Sequence, residues 1–218
     1  MDYEISGTTF LIFTTAVSAQ KVEGDSVSFL KDGDLIFQDM DCGPLCDAIE
    51  AVTEGYKGKD FSHMGMVYFR NDSLYIIEAA GSSVRLTTLK KFSQNTSKEM
   101  PVFRLKEKYR KLIPAAVAFS LQQIGVPYDE EYVYDNGAYY CSELIYDAFM
   151  FANGGKPFFQ MTPMTYKQPG TNEFFRAWVE YYKSIGKPIP EGLPGCNPGG
   201  MSVSDKIEII APLPPKGE

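Results

Sequence analysis

Ser62-His63-Met64-Gly65-Met66-Val67-Tyr68-Phe69, then Arg70-Asn71-Asp72-Ser73, then Leu74-Tyr75-Ile76-Ile77-Glu78-Ala79-Ala80: two apolar, strand-forming runs flank four residues of turn chemistry, which predicts a β-hairpin. Opposed residues in an antiparallel pair share a constant index sum and one face of the sheet. Pairing Arg70 with Ser73 sets that sum at 143. His63 then falls opposite Ala80 and diagonal to Glu78, within reach of a long side chain. His63 is the only histidine among 218 residues, so any imidazole chemistry passes through it. Glu78 is the candidate to accept its second ring N–H and fix its tautomer. A one-residue slip of register would separate the two.

Working outward, residues 33–38 (GDLIFQ) read as a turn and a buried strand, and a helix is expected over 46–54. Residues 84–89 and 102–105 look like further strands of the same sheet, with Pro101 at the start of the second. Apolar residues at helical spacing (Leu112, Ala115, Ala116, Phe119, Ile124) predict a helix over 111–124, ended by Gly125. A second amphipathic helix starts at Cys141, turns Leu144, Ile145, Ala148 and Phe149 inward, and stops at Asn153-Gly154-Gly155. From Thr171 onward an aromatic helix (174–182), a Pro/Gly-rich loop (188–200) and a last strand (206–210) form a C-terminal extension. A loop of that length is more often functional or covering than idle. The fold class is α+β, an antiparallel sheet or partial barrel packed with helices.

Cys141 opens its helix in Tyr140-Cys141-Ser142-Glu143-Leu144. Unsatisfied N–H groups and the positive end of the dipole at a helix start favour thiolate over thiol, and the same N–H groups can donate to an oxyanion. A thiol nucleophile needs a base, and His63 is the only imidazole on offer. Upstream, Gly125-Val126-Pro127-Tyr128-Asp129 supplies a phenol at Tyr128. Tyr128 and Ser142 are the candidates for oxyanion and substrate binding. Glu143 suits an acid favoured by the helix dipole, and Tyr139, Tyr140 and Trp178 suit core or pocket wall.

The order G-x-P-Y-D and then Y-C-S-E-L resembles the nucleophile region of the NlpC-type cysteine peptidases, which have a papain-like fold. In that group the catalytic histidine follows the cysteine, whereas here His63 precedes Cys141. The resemblance is therefore to the circularly permuted branch, the YiiX-like (YebB/YaeF-like) proteins, which are related to the lecithin:retinol acyltransferase group. G-D-L-I-F-Q at 33–38, S-H-M-G-M-V at 62–67 and I-I-E-A at 76–79 extend it over roughly residues 30–165. It implies Cys141 as nucleophile, His63 as general base, Glu78 as the third polar residue and Tyr128 near the site. The chemistry of these residues passes through a thioester intermediate and requires no metal or organic cofactor. The expected activity is hydrolysis of an amide, for instance in a cell-wall peptide. A lipid ester or acyl transfer, or a binding module that turns nothing over, are the alternatives.

Composition limits the partners. A net charge of −7 with no basic run argues against a nucleic-acid surface and leaves a small peptide or an amphipathic lipid-like substrate. Residues 7–19 (GTTFLIFTTAVSA) form an uncharged apolar stretch ending in small residues, the pattern of a signal peptide over 1–19. Its n-region departs from that pattern in carrying Asp2 and Glu4. Cleavage after Ala19 would remove both acids and no base, taking the net charge from −7 to −5. The expected product is a single domain over 20–218, secreted or periplasmic, with possible association with the cell envelope. Four cysteines are too sparsely placed for a disulfide scaffold, but two of Cys42, Cys46 and Cys196 can bridge in an oxidising compartment. A zinc site from those three with His63 competes weakly, because beyond the C-x3-C start its members are scattered.

Overall fold

The computed structural model describes residues 27–215, so the expected signal segment 1–19 lies outside the described residues. Six strands form one antiparallel sheet: β1 (Leu35–Gln38), β2 (His63–Arg70), β3 (Ser73–Ala80), β4 (Ser83–Thr88), β5 (Met100–Leu105) and β8 (Ile207–Leu213). Their order is β4-β3-β2-β1-β5-β8, an open sheet and not a closed barrel. The hairpin keeps the register read from the sequence, with Arg70 opposite Ser73 and Met66 opposite Ile77. Asn71 and Asp72 both have positive φ, at 50° and 62°. A two-residue hairpin turn of the primed type demands that backbone, and Asn and Asp tolerate it well.

Strand β1 is buried along its whole length because both faces of the sheet are covered. On one face Leu35, Phe37, Met66 and Ile77 pack with Leu144, Ile145 and Phe149. The last three belong to α4 (Cys141–Ala152), which lies beside α3 (Ile113–Gln122). On the other face Ile36, Val67, Ile76, Val102 and Leu213 close over Phe92, at the end of the short helix α2 (Leu89–Phe92). Helix α3 ends earlier than its apolar spacing suggests, and Ile124 is exposed beyond it. The backbone then turns through Gly125 at φ +93°, a conformation that favours glycine.

The segment from 171 onward is built into the domain. Its strand β8 pairs with β5, and its helix α5 (Arg176–Ile185) packs Trp178 and Tyr182 against Ala48 of α1 (Pro44–Glu50). The loop expected over 188–200 carries one half of a two-residue ladder between β6 (Thr162–Pro163) and β7 (Pro194–Gly195) and ends earlier, in a short helix, α6 (Pro198–Ser202). The cue for α6 is in the sequence: Asn197 caps it by accepting the Gly200 N–H at 2.7 Å, and Pro198 follows at the first helical position.

Asp34 ties β1 to β5. Its buried carboxylate takes Arg104 Nε–H and Nη2–H at 2.7 Å each and the Lys31 N–H at 2.8 Å. Asp34→Ala would leave the buried guanidinium unpaired, which costs about 3–5 kcal/mol. A urea-denaturation midpoint lying within error of the parent's would refute this role.

Candidate active site

His63 opens β2, paired with Gln38 of β1. Its ring lies 5.6 Å from that of Phe92 in one apolar cluster, and Cys141 belongs to the other. The diagonal contact read from the register is present: His63 Nε2–H donates to Glu78 Oε2 at 2.7 Å, with both side chains out of solvent. A carboxylate only accepts, so Nε2 carries a proton and the Nδ1 side of the ring is left for Cys141.

Burial opposes a charge on His63. Hydrogen bonding to the Cys141 sulfur and to Glu78, with the charges of both, outweighs burial and raises the imidazole to about 10. Burial likewise opposes the Glu78 carboxylate and is outweighed, chiefly by His63 with help from Thr87 and Arg85, so that the group falls to about 2. The favoured state of the pair is therefore imidazolium on carboxylate.

Thr87 and Arg85 were absent from the sequence candidates. Thr87 Oγ1–H donates to Glu78 Oε1 at 2.5 Å and Arg85 Nε–H at 3.0 Å. The signal for them was available, since a β3–β4 hairpin turning at Gly81-Ser82 puts Arg85 opposite Glu78 and Thr87 diagonal to it.

Cys141 is the first residue of α4 and is 6% exposed. Glu143 has the structural place expected of it, accepting the N–H groups of Tyr140 at 3.3 Å and Asp135 at 3.1 Å. Burial pushes its carboxyl up to about 8 against those two bonds. The Ser142 hydroxyl donates to the Cys196 carbonyl at 3.0 Å, and the Ser142 backbone N–H, in the first turn of α4, has no carbonyl of a preceding turn to bond. Tyr128 lines the cavity beside Cys141 and donates its O–H to Tyr132 at 3.3 Å. Burial holds the Tyr128 phenol well above its ordinary range, so it stays protonated and able to donate.

Tyr132, a further wall residue that the sequence did not single out, adopts a left-handed backbone at φ +52°. Its ring meets those of Tyr128, Tyr140, Trp178 and Tyr181.

Cys42 and Cys46 are joined in a disulfide with their Cα atoms 5.5 Å apart, while Cys141 and Cys196 are free and buried. That pairing withdraws two ligands from the Cys3His set weighed above. Among the described residues, no group of three or more His, Cys, Asp or Glu is placed to hold a metal ion.

Comparison with known proteins follows the same lines. Residues 29–211 match the family model described as the permuted papain-like amidase enzyme, YaeF/YiiX, C92 family. The uncharacterized protein YiiX of Escherichia coli K12 is 31% identical over 128 residues, which cover 56% of this chain and 58% of that one. The matched part thus spans less than two thirds of that relative. A crystal structure of YiiX from Escherichia coli O157:H7, titled a metalloprotein, superposes with a TM-score of 0.67 at 25% identity, covering 85% of this chain and 98% of that one. With the open antiparallel sheet, the strand that opens on His63 ahead of the helix that opens on Cys141, and a family match spanning most of its length, the chain belongs to the permuted papain-like amidases of the YaeF/YiiX type, the C92 family of cysteine peptidases.

Proposed function

We propose that the protein hydrolyses an amide bond through Cys141, His63 and Glu78. The observation that carries this is the single imidazole held at 2.7 Å by Glu78 on one side and facing the Cys141 sulfur on the other. In the first step the sulfur attacks the carbonyl carbon. Negative charge gathers on the carbonyl oxygen, where the N–H groups of Cys141 and Ser142 in the first turn of α4 can donate, joined by the Tyr128 O–H once it turns from its long bond to Tyr132. His63 gives its proton to the departing nitrogen as the C–N bond breaks, leaving a thioester on Cys141. The neutral ring then takes a proton from water, whose oxygen attacks the thioester and releases a carboxylic acid and the free sulfur. Glu78 keeps the ring oriented and balances the imidazolium.

An exported protein of this kind would meet cell-wall peptides, whose amide bonds fit the chemistry. A lipid ester is the second reading, supported by the aromatic and aliphatic cavity wall, because an ester passes through the same thioester.

Thiol labelling tests the assignment. At about pH 5.5 free thiols of ordinary pKa are almost wholly protonated. Burial pushes the Cys196 thiol far up, so that residue should stay unmodified. Iodoacetamide is expected to give one adduct, mapped to Cys141 by peptide mass spectrometry. An adduct on Cys196, with Cys141 untouched, would sink the nucleophile assignment.

A further inference from the structure

Cys196 is a buried free thiol with no part in the proposed hydrolysis, yet it is held against the start of α4. Its N–H donates to the Tyr140 phenol at 3.2 Å, its carbonyl accepts the Ser142 hydroxyl at 3.0 Å, and its sulfur lies 3.7 Å from the Tyr140 oxygen. Those two partners are the residues on either side of Cys141. Cys141 and Cys196 also line one cavity and belong to one core cluster. They are the two free thiols of the chain, the other two cysteines being bridged to each other.

The two sulfurs differ in chemistry. Cys141 faces the His63 imidazole, whereas burial holds the Cys196 thiol far above its ordinary range. A peroxide is attacked by the more nucleophilic sulfur, so oxidation begins at Cys141. The Tyr140 O–H can donate to the Cys196 sulfur and so favour negative charge there while that sulfur attacks in its turn. Disulfides persist where thiols are not kept reduced. Surroundings that preserve the Cys42–Cys46 bond therefore leave Cys141 open to oxidation as well.

With Cys141 as the nucleophile proposed above, we infer that Cys196 is its resolving partner: hydrogen peroxide oxidises Cys141, and Cys196 closes the product into a Cys141–Cys196 disulfide. In the first step the Cys141 sulfur attacks one peroxide oxygen, the O–O bond breaks, and the other oxygen leaves with the thiol proton as water. Cys141 is then a sulfenic acid. In the second step the Cys196 sulfur attacks the Cys141 sulfur, the S–O bond breaks, and the hydroxyl leaves with the Cys196 proton as a second water. The pair of thiols has given two electrons to one peroxide. The bridge turns the Cys141 side chain away from His63 and stops hydrolysis. A dithiol reopens it, whereas a sulfinic acid, the next oxidation state, is beyond such a reductant.

Peptide mapping decides this without requiring turnover. The full chain is exposed to hydrogen peroxide, unfolded in N-ethylmaleimide and mapped by mass without reduction. A peptide pair joined through Cys141 and Cys196, lacking the hydrogens of both thiols, is the expected product, and dithiothreitol should restore iodoacetamide labelling of Cys141. In Cys196→Ser, dimedone should trap Cys141 as the sulfenic acid. Prolonged peroxide should carry that variant to the sulfinic acid, so that dithiothreitol recovers at least about tenfold less labelling than in the parent. Thermal melting checks that the variant is folded, and the map of the parent decides the question without it. Cys141 left unoxidised, Cys141 taken to sulfinic acid with Cys196 still alkylated by maleimide, or a bridge between two copies of the chain each overturn the inference and leave the nucleophile standing. If iodoacetamide also fails to label Cys141 in the untreated protein, the nucleophile falls with it.

Discussion

Cys141→Ala is expected to lower amide hydrolysis by at least about 10,000-fold, the scale on which members of a nucleophile–base pair fail when removed singly. His63→Ala should do nearly as much, because no second imidazole exists in the chain. The double variant should be no worse than either single one, since a nucleophile without its base and a base without its nucleophile lose the same step. Alanine fits the Cys141 site: the residue begins a helix, and its neighbours in the core are apolar. The folded variant should therefore melt near the parent temperature while turnover disappears. Turnover in Cys141→Ala within tenfold of the parent would place the chemistry elsewhere in the cavity.

Glu78→Gln is the second large effect, about 100- to 10,000-fold on kcat, and its cause lies in the neighbouring strand. Thr87 and Arg85 both donate to the Oε1 position of Glu78. A glutamine amide would satisfy them by setting its oxygen there, which turns its NH2 toward His63. The ring must then accept at Nε2 and carry its proton at Nδ1, the side facing Cys141, where it cannot receive the thiol proton. The negative charge that helps hold the imidazole at about 10 is lost as well, so the ring should give up its proton at lower pH than in the parent. With one histidine in the chain, a single ring Cε1–H resonance followed by NMR across pH 5–11 reads this directly. Unchanged kcat together with an unchanged titration would exclude Glu78 as the group that orients the ring.

The hairpin was legible because alternation, turn chemistry and antiparallel register constrain one another over residues 62–80. Those constraints reach as far as the 2.7 Å contact between His63 and Glu78. Cys141 was legible as a helix start because Asn153-Gly154-Gly155 and the inward apolar spacing bound that helix from both sides. Thr87 and Arg85 required the register to be carried one strand further. The cavity wall was legible only in part. Tyr140, Trp178 and the 188–200 loop were read as core, wall or cover, but their convergence with Tyr132 and Tyr166 comes through tertiary packing, and no period or local motif links positions that far apart in sequence. The disulfide partners were narrowed to three cysteines, and the choice between them rested on distances that spacing does not carry.

Cys196 sits under α4: its carbonyl receives the Ser142 hydroxyl, and its N–H donates to the Tyr140 phenol at 3.2 Å. Ser202, six residues further on, accepts the Tyr56 N–H at 2.9 Å. A ribosome makes His63, Glu78 and Cys141 in that order and reaches this bracket only afterwards. The three side chains therefore exist in the growing chain before the part of the cavity wall that residues 162–198 supply. The cavity beside Cys141 has its whole wall only when residues 162–198 have folded back onto the rest of the domain.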